Sequence, residues 1–217
     1  MNLSAFIDHT LLKPQATRSD IDQLCAEAVS YGFAAVCLPP VFVRHAVRRL
    51  ADAPTIQVAT VVGFPVGYTT RSTKVYEINN LTGKGATEID MVVNIGAVKD
   101  KRWRFVEREI AECVRATHKN KALLKVIIET GLLDTNEIMA MCAICADKGV
   151  DFVKTSTGFN GGGATLEVVQ LMRKILPENI HIKASGGIAT RRFALQLIEA
   201  GARRIGSSKS LEIMGQG

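Results

Sequence analysis

The chain has 217 residues, 47% hydrophobic and 22% charged, a balance that fits one compact domain with a full core and excludes a disordered or fibrous chain. The formal net charge is +6, but the basic residues are spread out apart from Arg48-Arg49, Lys101-Arg102, Arg191-Arg192 and Arg203-Arg204. No aromatic residues interleave with them, so no nucleic-acid platform is expected, and anionic small molecules are the partners the charge leaves open.

The opening stretch MNLSAFIDHTLLKP has no basic segment followed by an apolar run, so no secretory signal is expected. No stretch approaches about 18 uncharged apolar residues, so no membrane association is expected either. Five cysteines lie inside apparent helices and strands, which suits reduced thiols and a cytoplasmic protein. Cys142 and Cys145 form a CxxC inside a helical pattern with no second pair, and read as helix packing.

Along the chain, short apolar runs alternate with longer amphipathic ones. FIDHTLL is followed by a helix over Ser19 to Tyr31, with Ser19 as N-cap and Gly32 as C-cap. FAAVCL leads into a helix near Val41 to Ala51, TIQVATVVGFP into Thr70 to Gly83, and EIDMVVNIG into Lys101 to His118. ALLKVIIET precedes Asp134 to Lys148, with Asp134 as cap. DFVKTS precedes Ala164 to Leu176, HIKASGG precedes Thr190 to Ala200, and RRIGSS precedes a short tail. These are eight strand–helix units at βα spacing with no linker between them. Strands this apolar are buried on both faces, as in a parallel sheet. The pattern predicts a single (β/α)8 TIM barrel domain over residues 1–217, with an extra N-terminal helix, and chemistry at the C-terminal ends of the strands. An open doubly wound sheet is the alternative, but no GxGxxG follows the first strand.

Ionisable residues interrupt these strands. Asp8 lies in the first and Asp90 in the fourth, while Lys125, Lys154 and Lys183 lie in three successive strands, each 29 residues after the last. Neighbouring strands are about 4.8 Å apart, so three inward ammoniums crowd together and lower a pKa. That keeps an amine nucleophilic near neutral pH. Lys154, which ends a short apolar strand before the polar turn Thr155-Ser156-Thr157-Gly158, is the candidate for imine formation with a carbonyl substrate. Asp8 and Asp90 are the candidates to offset charge and move protons. Two Gly-rich turns, Ser185-Gly186-Gly187 and Gly206-Ser207-Ser208, follow the last two strands, where barrels frequently bind phosphate. Cys37 reads as a core thiol, Glu129 as a residue of the mouth, and the four histidines as packing or surface residues without metal-ligand spacing.

At IDHTLLKP, EIDMVVNIGAVK, LKVIIETG, DFVKTSTGF, IKASGGI and RIGSS, spanning nearly the whole chain in order, the sequence resembles the deoxyribose-phosphate aldolases, a class I aldolase family. The resemblance implies a (β/α)8 barrel without metal or other cofactor. It implies reversible cleavage of 2-deoxy-D-ribose 5-phosphate to D-glyceraldehyde 3-phosphate and acetaldehyde, in deoxyribose phosphate catabolism. By the same resemblance Lys154 is the Schiff-base lysine, Lys183 the lysine that perturbs it, Asp90 the acid–base aspartate and Asp8 a helper in the proton relay. Gly186, Gly187, Ser207 and Ser208 fall on the phosphate turns; Gly206, Gly158, Lys125 and Lys209 complete the expected substrate set. The family usually has Arg where this chain has Ala189, and Gly where it has Lys209. Another Schiff-base enzyme for a different phosphorylated sugar or keto acid, and a silent binding barrel, are the competing readings. A homo-oligomer, a dimer first, is the expected self-association.

Overall fold

Residues 2–215 are described by the computed structural model. Chain-local signals set the helix boundaries. Thr17 opens α1 (Arg18–Tyr31) with a reciprocal capping box to Asp20, and Gly32 closes it at φ 63°. The expected cap Ser19 therefore lies inside the helix. Asp20 at N3 explains the shift, since it returns the bond to the Thr17 backbone. Asp134 caps α6 (Thr135–Lys148) as expected, in a box with Glu137.

The strands are β1 (Ile7–Thr10), β2 (Ala35–Leu38), β3 (Gln57–Val62), β4 (Glu88–Val92), β5 (Leu123–Ile127), β6 (Phe152–Lys154), β7 (His181–Ser185) and β8 (Ala202–Ser207). The remaining helices are α2 (Val43–Arg49), α3 (Arg71–Thr82), α4 (Ile95–Lys99), α5 (Trp103–Lys119), α7 (Leu166–Ile175), α8 (Arg191–Glu199) and α9 (Ser210–Ile213). Two differ from the expected pattern. The run after β4 splits into α4 and α5, because Asn94 caps an earlier start and Lys101 adopts φ 55° between the two pieces. The extra N-terminal helix is a single 3-10 turn, Leu3–Phe6.

All eight strands are parallel and β1 pairs with β8 as well as β2, so the sheet closes into a barrel in sequence order. That closure excludes the doubly wound alternative. Ile89 and Met91 face the packed shell between sheet and helices, together with Ile7, Leu124, Val126, Val153, Ile182 and Ile205. The opposite face of the sheet is the lumen, and it is divided. On β2 and β3 it is apolar, with Cys37, Ala59 and Val61 packed beside Leu12 and Phe64. Elsewhere it holds Asp8, Glu88, Asp90, Lys125, Lys154 and Lys183, all buried. Barrel lumens are usually filled by bulky branched side chains, so half of this one has been given over to charge. Among the described residues no helix is long and apolar enough to cross a membrane.

The α6 cap is the clearest local determinant of stability outside the lumen. Asp134→Ala should destabilise the protein by about 1 kcal/mol, read as a lower urea midpoint with an unchanged slope.

Candidate active site

Lys154 is the last residue of β6, and register pairs it with Lys183 on β7 and Ile127 on β5. Lys125 instead pairs with Phe152, two residues before Lys154. The even 29-residue spacing therefore does not put the three lysines level, since the stagger of the barrel carries Lys154 nearer the mouth. A cavity of about 290 Å³ opens there, and Lys154 is the one of the three that lines it.

The buried ammoniums are shared among three carboxylates. Asp90 receives all three lysines: Lys125 Nζ at 3.0 Å on Oδ1, and Lys154 Nζ at 2.8 Å and Lys183 Nζ at 2.7 Å on Oδ2. Lys183 also lies 2.5 Å from Asp8 Oδ2, and Lys125 2.5 Å from Glu88 Oε2. Arg204 donates to Asp8 Oδ1 and, at 2.7 Å, to Glu88 Oε1. Glu88 and Arg204 were not among the residues expected from sequence. The signal was present, because Glu88 precedes Asp90 by two positions and Arg204 precedes Gly206 by two, the spacing that keeps side chains on one face of a strand.

The lysines do not all respond alike. Burial lowers the Lys154 ammonium, Asp90 opposes this and Lys183 reinforces it, and the net result lies below the ordinary amine value. Burial also disfavours the charge on Lys183 and Lys125, but Asp8 with Asp90, and Asp90 with Glu88, outweigh it and raise both. The expected mutual depression is thus confined to the lysine with one carboxylate neighbour. Burial pushes the Asp90 carboxyl up, yet Lys125, Lys154 and Lys183 prevail and hold it well below the usual range. Asp8 is likewise held low, with Lys183, Lys125 and Arg204 overcoming its burial. Cys37 is buried and its thiol pushed up, a core thiol as expected.

The turn after β6 is fixed by Glu129, which follows β5 at φ 56° and is fully buried. Its carboxylate accepts from the Thr157 amide at 3.1 Å, the Thr157 hydroxyl at 2.5 Å and Asn160 Nδ2 at 2.9 Å. Asn160 also donates to Pro65 O at 2.7 Å. Glu129 does not line the cavity itself but holds Thr157, which does, beside Gly158 and Phe159. Phe159 is half exposed and stands edge-on to Phe64.

Gly186, Gly187, Gly206, Ser207, Ser208 and Lys209 all line the far side of the same cavity. Ser207 Oγ donates to Ile188 O at 2.6 Å and accepts from the Lys209 amide, tying the two turns together. Gly206 lets the strand pass close there: a Cβ would stand 2.3 Å from Ser185 Oγ and 2.9 Å from Lys183 Cε, so both side chains would have to shift. The helices do not begin at the turns themselves, since Thr190 caps α8 and α9 is one turn long. Ala189 lines the cavity in place of a cation, Arg191 and Arg192 are exposed and do not line it, and Lys209 Nζ is 2.7 Å from Glu212. Lys13 also lines it, with no carboxylate at ion-pair distance among the described residues. Lys125, Lys183, Asp90 and Asp8 lie behind Lys154 and do not line the cavity. Among the described residues no group of three or more His, Cys, Asp or Glu is placed to hold a metal ion.

The family model described as "DeoC/LacD family aldolase" matches residues 3–215. The chain is 50% identical over 213 residues to a deoxyribose-phosphate aldolase of Halalkalibacterium halodurans, covering 98% of this chain and 95% of that one. It is 48% identical over 215 residues to a deoxyribose-phosphate aldolase of Thermococcus gammatolerans, covering 99% and 96%. Among solved structures, that of the aldolase QR15 superposes with a TM-score of 0.92 at 38% identity, covering 99% of this chain and 95% of that one. The deoxyribose phosphate aldolase of Aeropyrum pernix, described as having a unique tetrameric structure, gives 0.91 at 32%, covering 98% and 89%.

The Glu129 network makes a prediction independent of any activity. Glu129→Ala leaves the buried Thr157 amide and hydroxyl without their acceptor, at a cost of about 1–3 kcal/mol. Hydrogen exchange should accelerate at the Thr157 amide while the amides of β4 and β5 stay protected.

Proposed function

The chain belongs to the DeoC/LacD family of aldolases, and on that premise we propose that it is a class I aldolase acting through an imine at Lys154. Its substrate is 2-deoxy-D-ribose 5-phosphate, reversibly cleaved to D-glyceraldehyde 3-phosphate and acetaldehyde. The observation that carries the assignment is that Lys154 alone combines access to the cavity with a lowered ammonium pKa. A neutral amine is the nucleophile this chemistry needs.

The neutral amine attacks the C1 aldehyde, and the carbinolamine loses water to give an iminium. The C3 hydroxyl gives up its proton, the C2–C3 bond breaks, and its electron pair moves into the iminium to form an enamine. Glyceraldehyde 3-phosphate leaves; protonation at C2 and hydrolysis of the imine release acetaldehyde and the free amine. The iminium formed on the protein's own amine is the electron sink, so this route calls for no cofactor. Asp90 is the carboxylate in contact with Lys154, and with a water it relays these protons. Asp8 supports the relay through Lys183, and Lys125 anchors Asp90 from its other oxygen.

The phosphate lies between the two tied turns, where Gly186, Gly187, Ser207 and Ser208 present backbone amides and a hydroxyl. Lys13 supplies the cation that the missing arginine at Ala189 would have given, because no carboxylate among the described residues stands at ion-pair distance from its ammonium. Gly158 and Lys209 complete the wall. The five cysteines are free and buried, which suits the reducing cytoplasm. A homo-oligomeric assembly belongs to the same reading.

Borohydride reduction in the presence of acetaldehyde should add one ethyl group at Lys154, located by peptide mass spectrometry, and Lys154→Arg should abolish it. Labelling at another lysine would falsify the assignment; no labelling at all would favour a silent barrel. At the phosphate end, Lys13→Ala should raise KM for deoxyribose 5-phosphate on the order of tenfold, the loss of one charge-assisted bond. Cleavage of unphosphorylated deoxyribose should barely change. Lys209→Ala, which also breaks the pair with Glu212, should have the smaller effect.

A further inference from the structure

We propose that Arg204 and Glu88, which lie outside the substrate cavity, set the pH range of the enzyme by fixing the charge balance of the lumen around Lys154. This rests on the reading of Lys154 as the imine-forming amine. Two chains of ion pairs leave Arg204 and meet again at Asp90. One runs through Asp8 and Lys183, with 2.5 Å between Asp8 and Lys183 and 2.7 Å between Lys183 and Asp90. The other runs through Glu88 and Lys125, with contacts of 2.7 Å, 2.5 Å and 3.0 Å in turn. Lys154 hangs from the meeting point, 2.8 Å from Asp90.

The balance is simple. Asp8, Glu88 and Asp90 carry three negative charges, and Arg204, Lys125 and Lys183 carry three positive ones. Those six neutralise one another when Lys154 is uncharged, and a proton on Lys154 leaves one unmatched charge in a buried space. Such a charge is costly where water is excluded. The groups facing Lys154 are Asp90 from β4, Lys183 from β7 and the neutral thiol of Cys37 from β2. Those facing Arg204 are Asp8 from β1, Glu88 from β4, the Phe152 ring of β6, and His181 of β7. Arg204 also borders a separate opening beside Ala5, Phe33 and Gln57, near the starts of the first strands. It therefore acts on Lys154 only through the charge network.

The two residues carry opposite charge, so their removal must move the enzyme in opposite directions. Kcat/KM rises with pH as Lys154 loses its proton, and its acid limb reports that step. Arg204→Met leaves an excess negative charge, favours the ammonium, and should shift the limb up by about one pH unit. Glu88→Gln leaves an excess positive charge and should shift it down by a similar amount. The double variant E88Q/R204M restores the balance and should bring the limb back close to its original place. The pH dependence of borohydride trapping at Lys154 should follow the same order in all three. Arg204→Lys, which keeps the charge but not the fork, should hold the limb even where activity falls.

Same-sign shifts in the two single variants, or a double variant that stays displaced, would overturn the proposal. So would activity lost equally at every pH with the limb unmoved, which is what a merely structural role gives. If R204M does not fold, the downward shift in E88Q and its reversal in the double variant still decide the matter. Failure to label Lys154 in the unaltered enzyme would instead count against the imine reading itself.

Discussion

Seven ionised or ionisable side chains inside a barrel must be nearly neutral as a group, and much of this structure follows from that requirement. Moving an isolated charge from water into a dry interior costs several kcal/mol even after relaxation. No single pair here escapes that cost alone. Asp90 accepts from three lysines and Arg204 bridges two carboxylates, so every charge except that of Lys154 is compensated from more than one side. A buried ion-pair network is by itself weak evidence for stability over a well-packed apolar lumen. What it provides is a defined electrostatic environment in which one amine differs from its two neighbours.

That difference becomes useful because of where the barrel ends. Register carries Lys154 to the last position of its strand, facing a cavity whose opposite wall is the pair of glycine turns. The turn after β6 does not wander, because the buried Glu129 holds Thr157 and Asn160 together. The turns after β7 and β8 are tied by the Ser207 hydroxyl. Preorganised walls of this kind hold reacting groups at fixed separation, which contributes to rate without any further motion.

Much of this could be read from the chain because its signals are local. Alternating apolar and amphipathic runs gave eight units, and Asp134 and Gly32 marked helix ends by their own chemistry. The candidate lysines and aspartates stood out because charge is unexpected on a buried strand. What stayed hidden depended on pairing across the sheet. Nothing in HIKAS or EIDMV says that Lys183 meets Asp8 while Lys154 does not, yet that contact decides which lysine is depressed. Glu88 and Arg204 went unmarked, since they meet each other across 116 residues of sequence. The Lys209–Glu212 pair and the position of Lys13 at the cavity depend on side-chain placement in loops, which periodicity does not describe.

The contact between Arg204 and Asp8 joins positions 196 residues apart and closes the barrel where its first strand meets its last. During synthesis, β1 leaves the ribosome long before β8 exists. For most of that time Asp8 has neither Arg204 nor Lys183 to face, and Lys125, at 3.5 Å, is the more distant of its partners. The charge network of the lumen cannot be completed until β8 is made. The same ion pair that balances the finished site thus withholds it from every incomplete chain, so that a nascent protein truncated before β8 carries Lys154 without the surroundings that set its chemistry.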